Sequence, residues 1–276
     1  MKAGVYFGVS FDEYRSWDGW SSSDLKALRQ GPPSLVPWRR ANPSAETDAT
    51  RLGTVSHAAI IEGDDVFASR FAFKPEDMTF STKEGKAWKA AQGGRTIVTF
   101  KEAEVVREIA TAFFAKGAAA MALDSALARE ACLVWSEDGI LCKARPDWYS
   151  AEAVDDLKIT RFATERGGAF HGWCDGWFHQ LAFYRRGLRA CGIPVNRGRN
   201  VLIHPAEPHA VYLLEPKPDV LDLLDLENMA GLKRLAKYAE SGVWPGTPDE
   251  WTLCDLPAAA LALDVLPWLD GEQEQA

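Results

Sequence analysis

The sequence predicts an α/β fold with a central mixed β-sheet flanked by helices. Three observations carry this. Glu130-Ala-Cys-Leu-Val-Trp135 and Ile140-Leu-Cys-Lys-Ala-Arg-Pro-Asp147 are apolar runs joined by the turn Glu137-Asp138-Gly139, the pattern of a β-hairpin. Val154-Asp-Asp-Leu-Lys158 follows after a short gap and reads as a strand beside them. Helical periodicity lies on both sides, opened upstream by the capping box Thr99-x-x-Glu102 and continued downstream over Trp173–Ala190.

The elements follow in order. The first fifty or so residues are rich in Trp, Ser, Pro and Gly. Within them, Ser21–Arg29 reads as a short helix, capped by Ser21 or Ser22 and stopped by Gly31-Pro32-Pro33. Arg51–Glu62 is mostly small and apolar, so it reads as a buried helix in which Gly53 permits close packing. It carries His57, the one imidazole in the first half of the chain. Taken alone, a single His in an apolar helix reads as a hydrogen-bonded core residue.

Residues 63–98 read as loop. Val105, Ile109, Ala112 and Phe113 make an amphipathic helix, and the Ala-rich run 117–128 extends the helical region. On the Trp173–Ala190 helix, Gln180 and Tyr184 are four apart and share a face, flanked by Arg185, Arg186 and Arg189. Arg199–His204 and Ala210–Glu215 read as paired strands. Leu221, Leu224, Leu232 and Leu235 form one stripe of a helix over Pro218–Ser241. The end, from Trp244-Pro245 through Trp251 to Leu256-Pro257, reads as loop, followed by an acidic tail.

Composition bounds the function. No apolar stretch approaches the length of a membrane span, and Met1-Lys2-Ala3-Gly4 leads into no signal-peptide core. The five Cys, at 132, 142, 174, 191 and 254, are widely spaced without C-x-x-C. That pattern fits a reducing, cytoplasmic compartment and argues against a zinc site. Cys132 and Cys142 read as small core residues.

The net charge is -8, which speaks against indiscriminate nucleic-acid binding, yet its distribution is uneven. Residues 158–199 hold eight Lys/Arg against two Asp/Glu; residues 206–276 hold four against fourteen. A basic segment after the carboxylates suits a phosphate-binding groove on an otherwise acidic surface. The same arginines also suit the solvated face of a helix.

Side chains alternate along a strand, so Val154, Asp156 and Lys158 share one face, and Asp155, Leu157 and Ile159 the other. Asp147, ending the preceding strand, reaches the spot where Asp156 and Lys158 point. A divalent cation would offset the repulsion between the two carboxylates.

The order Pro146-Asp147…Asp156-Leu157-Lys158 resembles the signature of the PD-(D/E)XK nucleases. Further pieces stand in order around it: Leu52-Gly53-Thr54-x-x-His57, Glu130 entering a strand, and Gln180-x-x-x-Tyr184. Together they resemble the RecB-like branch, most closely the exonuclease VIII (RecE-type) nuclease domain and its phage relatives, over roughly residues 20–257. Asp155 is an added acid before the motif Asp. The iron–sulfur cysteines of some related nucleases have no counterpart, and no G-x-x-x-x-G-K-[ST] helicase motif occurs.

The resemblance implies a restriction-endonuclease-like core with specific roles. His57, Asp147, Asp156 and the Leu157 carbonyl would hold Mg²⁺ or Mn²⁺. Lys158 would activate the attacking water. Glu130 would serve a second metal or hold Lys158. Gln180 and Tyr184 would position DNA or the nucleophile side of the site, and Arg161, Arg185, Arg186 and Arg189 would hold phosphates.

It also implies one domain: an extension over 1–50, a catalytic core over 51–215, and a C-terminal helix and tail over 216–276. The implied activity is an exonuclease acting on linear double-stranded DNA in phage-type recombination. A single-strand annealing protein and a homo-oligomeric ring are implied partners. The rivals are a structure-specific or single-strand endonuclease, and a catalytically silent DNA-binding module.

Overall fold

The structure is a computed structural model describing residues 1–43, 45 and 47–251. Leu256-Pro257, Cys254 and the acidic tail lie outside the described residues.

The chain opens with β1 (Gly4–Tyr6) and three short helices, α1 (Phe11–Ser16), α2 (Ser22–Gln30) and α3 (Leu35–Ala41). The His57 helix is α4 (Asp48–Ile61). Then come α5 (Asp64–Arg70), β2 (Phe71–Phe73), α6 (Lys83–Ala91) and β3 (Thr96–Val98), followed by α7 (Phe100–Ala115) and α8 (Gly117–Asp124). The central strands are β4 (Ala128–Arg129), β5 (Cys132–Glu137), β6 (Ile140–Ala144), β7 (Trp148–Tyr149) and β8 (Ala153–Ile159). The rest is α9 (Glu165–Cys174), α10 (Trp177–Ala190), β9 (Arg197–Ile203), β10 (Val211–Leu214) and α11 (Pro218–Ser241).

Five strands form a sheet in the order β10-β9-β8-β7-β4, and β1-β5-β6 form a second. The larger sheet is mixed, because β8 runs parallel to β9 and antiparallel to β7. Helices cover both faces. On one, Leu181, Phe183 and Leu188 of α10 and the leucine stripe of α11 pack with Trp135 and Val154. On the other, Ile60 and Ile61 of α4 and Ile109 and Phe113 of α7 pack with Trp148, Leu157 and Val201. Val154 and Leu157 enter opposite cores, as strand alternation requires.

Three expectations need correction. The hairpin does not lie directly beside β8. Its arms are broken, β4 to β5 and β6 to β7, so β5–β6 joins the smaller sheet while β7 pairs with β8. The break falls at Glu130, whose φ of 55 is left-handed, with its N–H donating to the Asp147 carbonyl at 2.9 Å. A strand interruption of this kind re-aims side chains. Residues 63–98 are not loop throughout. Thr82 caps α6 by accepting from the Gly85 N–H, and β2 and β3 pair in parallel. The Trp173–Ala190 helix is broken at Gly176, whose φ of 78 separates α9 from α10.

The N-terminal segment docks onto the hairpin edge through Trp20, whose N–H donates to Leu141 and whose carbonyl accepts from Lys143, both at 2.9 Å. This pairing fixes α2 above the end of the sheet.

Gly187 sits where α10 crosses β5. A Cβ there would meet Trp135 ring carbons at 2.7, 2.9 and 3.1 Å. Trp135 is fully buried and cannot withdraw. Gly187→Ala is therefore expected to destabilise by about 1–3 kcal/mol. A urea titration checks this: the midpoint should fall with an unchanged slope.

Candidate active site

The break in the hairpin, the end of α4 and the middle of β8 meet at one point. His57 Nε2 lies 3.0 Å from Asp147 Oδ1 and 3.4 Å from Glu130 Oε1. Asp147 Oδ2 accepts the Leu157 N–H at 2.7 Å. The N–H and carbonyl of one residue in an extended strand point to the same edge, so the Leu157 carbonyl shares the edge that faces Asp147.

Asp156 is buried beside them. Its Oδ2 is 2.6 Å from Lys158 Nζ and accepts from Asn200 Nδ2 at 3.0 Å, because Asn200 is its cross-strand partner on β9. Lys158 also donates to Gln180 Oε1 at 3.1 Å, and Gln180 Nε2 donates to the Tyr184 hydroxyl at 2.6 Å. The i,i+4 pair on α10 thus holds the ammonium from the other side. Asp155 points away and binds Arg199 through both carboxylate oxygens, at 2.6 and 2.8 Å.

The electrostatics reflect crowding of acids. Burial alone would push the His57 imidazole down, but Asp147, hydrogen bonded to it, and Glu130 and Asp156 beyond hold it at about 9. Burial pushes Glu130 up to about 7; His57 opposes the rise and Asp147 adds to it. Burial likewise pushes Asp156 up to about 6, against the pull of Lys158. For Asp147 burial loses: His57 and Lys158 hold its carboxyl below its ordinary value. At neutral pH the imidazolium therefore serves as the counter-cation of this acidic cluster.

A divalent cation fits the donor set. Ligand atoms of His57, Glu62 and Glu130 lie within 4.8 Å of one another. This trio differs from the set His57, Asp147, Asp156 and Leu157 implied by the resemblance. The two sets share the imidazole, and Asp147 approaches it more closely than Glu130 does. One nitrogen among carboxylate oxygens suits Mn²⁺ at least as well as Mg²⁺.

Other implied residues are placed differently. Glu130 does not hold Lys158; its second oxygen binds Arg145 Nε at 2.7 Å. Arg185, Arg186 and Arg189 are not in the site. Arg185 is 1% exposed and binds Asp222 of α11 at 2.6 Å. Arg186 binds Asp225 and Glu137, and Arg189 binds the Val195 carbonyl and Asn196. They join α10 to its neighbours. Arg161 is exposed just past β8, its guanidinium 4.8 Å from the centre of the Phe162 ring.

The site opens into a cleft of about 980 Å³, whose walls come from α1–α3, α4, β8 and α10. Sequence reasoning missed several of its residues. Glu62 is the acid that ends the apolar α4, a local signal. Arg145 lies inside the quoted motif. Asn200 and Lys26 carry no local signal, since register and docking bring them there.

No protein-family model matches the chain, and no curated protein matches it. A solved structure from Eubacterium rectale, described as a "putative exonuclease", is similar, with a TM-score of 0.61. The likeness covers 94% of this chain and all of that one at 12% sequence identity. At that identity it establishes a shared fold, mixed α/β with helices on both faces. No helix among the described residues is long and apolar enough to cross a membrane.

His57 gives a testable result. A metal must displace its proton, so occupancy competes with a group that titrates at about 9. Below that pH the imidazole is charged, and binding releases a proton. Mn²⁺ affinity is expected to rise roughly ten-fold per pH unit between about pH 7 and 9, more steeply below about 7 where Glu130 also sheds a proton, and to level off above 9. Mn²⁺ should also raise the wild-type melting temperature and leave His57→Gln unmoved. Calorimetric titration and thermal melts check both. An equal rise in the mutant would return His57 to the core.

Proposed function

We propose that this chain is a divalent-metal-dependent nuclease that hydrolyses DNA phosphodiester bonds, working as an exonuclease from the ends of linear duplex. One observation carries the reading. Asp147, Asp156, His57 and Glu130 converge beside a lysine that is fixed from both sides, at the floor of an open cleft. The neighbour's description as an exonuclease supports it, as does the resemblance carried by the motifs.

His57, Asp147, Asp156 and the Leu157 carbonyl would hold the cation, and Glu130 and Glu62 lie close to the same imidazole. The cation supplies charge neutralisation at the scissile phosphate and acidifies water. Lys158 points its ammonium at the same spot. Asp156 and Gln180 occupy two of its hydrogen-bonding directions, leaving the third for the attacking water or a phosphate oxygen. Tyr184, its hydroxyl kept protonated by burial and the nearby carboxylates, fixes the Gln180 amide and so the direction of Lys158.

The test compares linear duplex with covalently closed circular duplex in Mg²⁺ or Mn²⁺. Acid-soluble nucleotides should appear from the linear form alone. Cutting of the closed circle would replace the exonuclease with an endonuclease. Binding without hydrolysis of either form would leave a silent DNA-binding module.

A further inference from the structure

The cleft has more basic side chains than its chemistry consumes, and most are already committed. Arg40 binds Asp24 at 2.7 Å, Arg145 binds Glu130, and Arg70 binds Glu62. Lys143 donates to the carbonyls of Tyr14, Arg15 and Trp17. Lys158 is held by Asp156 and Gln180. Arg15 and Arg39 are exposed, and Arg39 donates to Gln30 Oε1 at 2.9 Å.

Lys26 is different. It lies on the α2 wall of the cleft and is half-buried, and it makes no hydrogen bond or ion pair among the described residues. Burial pushes its ammonium down; Asp175 offsets this, while Lys158, Arg39 and Arg29 push it further down. Asp175 is itself engaged by His171 Nδ1 at 2.9 Å. A partly desolvated ammonium among other cations, with no anion in contact, is costly to keep. The cost is offset if an anionic ligand completes the site. Fold position adds to this: Trp20 pins the start of α2 to β6, and Ser21 and Asp24 form its capping box, so Lys26 is presented by a fixed helix.

We infer that Lys26 is a substrate-binding residue, contacting a backbone phosphate of DNA from the wall of the cleft formed by α2. The inference rests on the nuclease reading for the identity of the anion. A phosphate there would offset the repulsion that Lys26 feels from Lys158, Arg39 and Arg29. Its contribution is uniform over sequence, because the contact carries no base information.

The test is fluorescence anisotropy of a labelled linear duplex in Ca²⁺, between about 50 and 200 mM NaCl. The wild type is compared with Lys26→Met and Lys26→Arg. Lys26→Met should bind about five- to ten-fold more weakly at low salt, with the salt slope smaller by about one. Lys26→Arg should restore most of both. Lys26→Met should melt no lower than wild type, since it removes a half-buried charge and keeps the stem.

A wild-type slope and affinity in Lys26→Met would overturn the inference. So would a lowered melting temperature accompanied by failure of Lys26→Arg to rescue binding, which marks a structural role. Anisotropy needs no cleavage, so the two readings separate. A wild type that binds with the expected slope and never cuts sinks the nuclease reading and leaves Lys26 standing. A wild type that binds no DNA overturns both.

Discussion

Lys158→Ala is expected to lower turnover by about 10²–10³-fold or more, while DNA and Mn²⁺ binding persist. The ammonium is placed at the carboxylate cluster by two independent contacts, Asp156 on its own strand and Gln180 on α10. Removing it takes away a group already oriented for developing charge and breaks no contact made by the proposed metal donors His57 and Asp147. Single-turnover kinetics at saturating DNA isolate the step. Turnover at the wild-type rate would remove Lys158 from the chemistry. The amide Lys158→Gln should recover little, because it keeps a hydrogen-bond donor and loses the charge.

The second large effect separates two adjacent acids. Asp156→Asn should abolish metal-dependent hydrolysis and weaken Mn²⁺ binding in calorimetry. Asp155→Asn should instead lower stability and spare turnover in the folded fraction. The reason is geometric. Asp156 faces Lys158 and the cluster, whereas Asp155 is buried on the other face in a two-pronged pair with Arg199. Breaking a buried pair by removing one partner costs about 3–5 kcal/mol. That figure falls toward 1 kcal/mol here, since the Arg199 side chain is 24% exposed and water screens it. Equal loss of metal affinity in both variants would mean that the strand register is shifted by one residue.

The grouping of the candidate site residues was legible where its signal is local. Asp156 and Lys158 are two apart on one strand, Gln180 and Tyr184 four apart on one helix, and both spacings dictate a shared face. Asp155 could be turned away by the same rule. What was not legible depends on which elements meet. Arg185 and Arg186 read as a phosphate-binding face because their partners, Asp222 and Asp225, lie 37 and 39 residues further on. The acidic excess after residue 206 was visible, but only the packing of α10 on α11 shows that it neutralises the basic helix. Asn200 reaches Asp156 through parallel register, and Lys26 reaches the cleft through Trp20, neither of which a motif encodes. Glu130 illustrates both sides: its place before a strand was plain, but its left-handed backbone, which turns the carboxylate toward His57, was not.

The proposed nuclease activity places hydrolysis of DNA at the His57–Asp147–Asp156 cluster. The direct measurement is release of acid-soluble nucleotides from linear duplex, with and without Mg²⁺ or Mn²⁺, by wild type and Asp147→Asn purified side by side. Asp147 is the chosen control because it touches both His57 Nε2 and the Leu157 amide, so its loss disables the donor set His57, Asp147, Asp156 and Leu157. Metal-dependent release is expected from the wild type and none above background from the mutant. Equal release by both proteins, or none by the wild type in either metal, would contradict it.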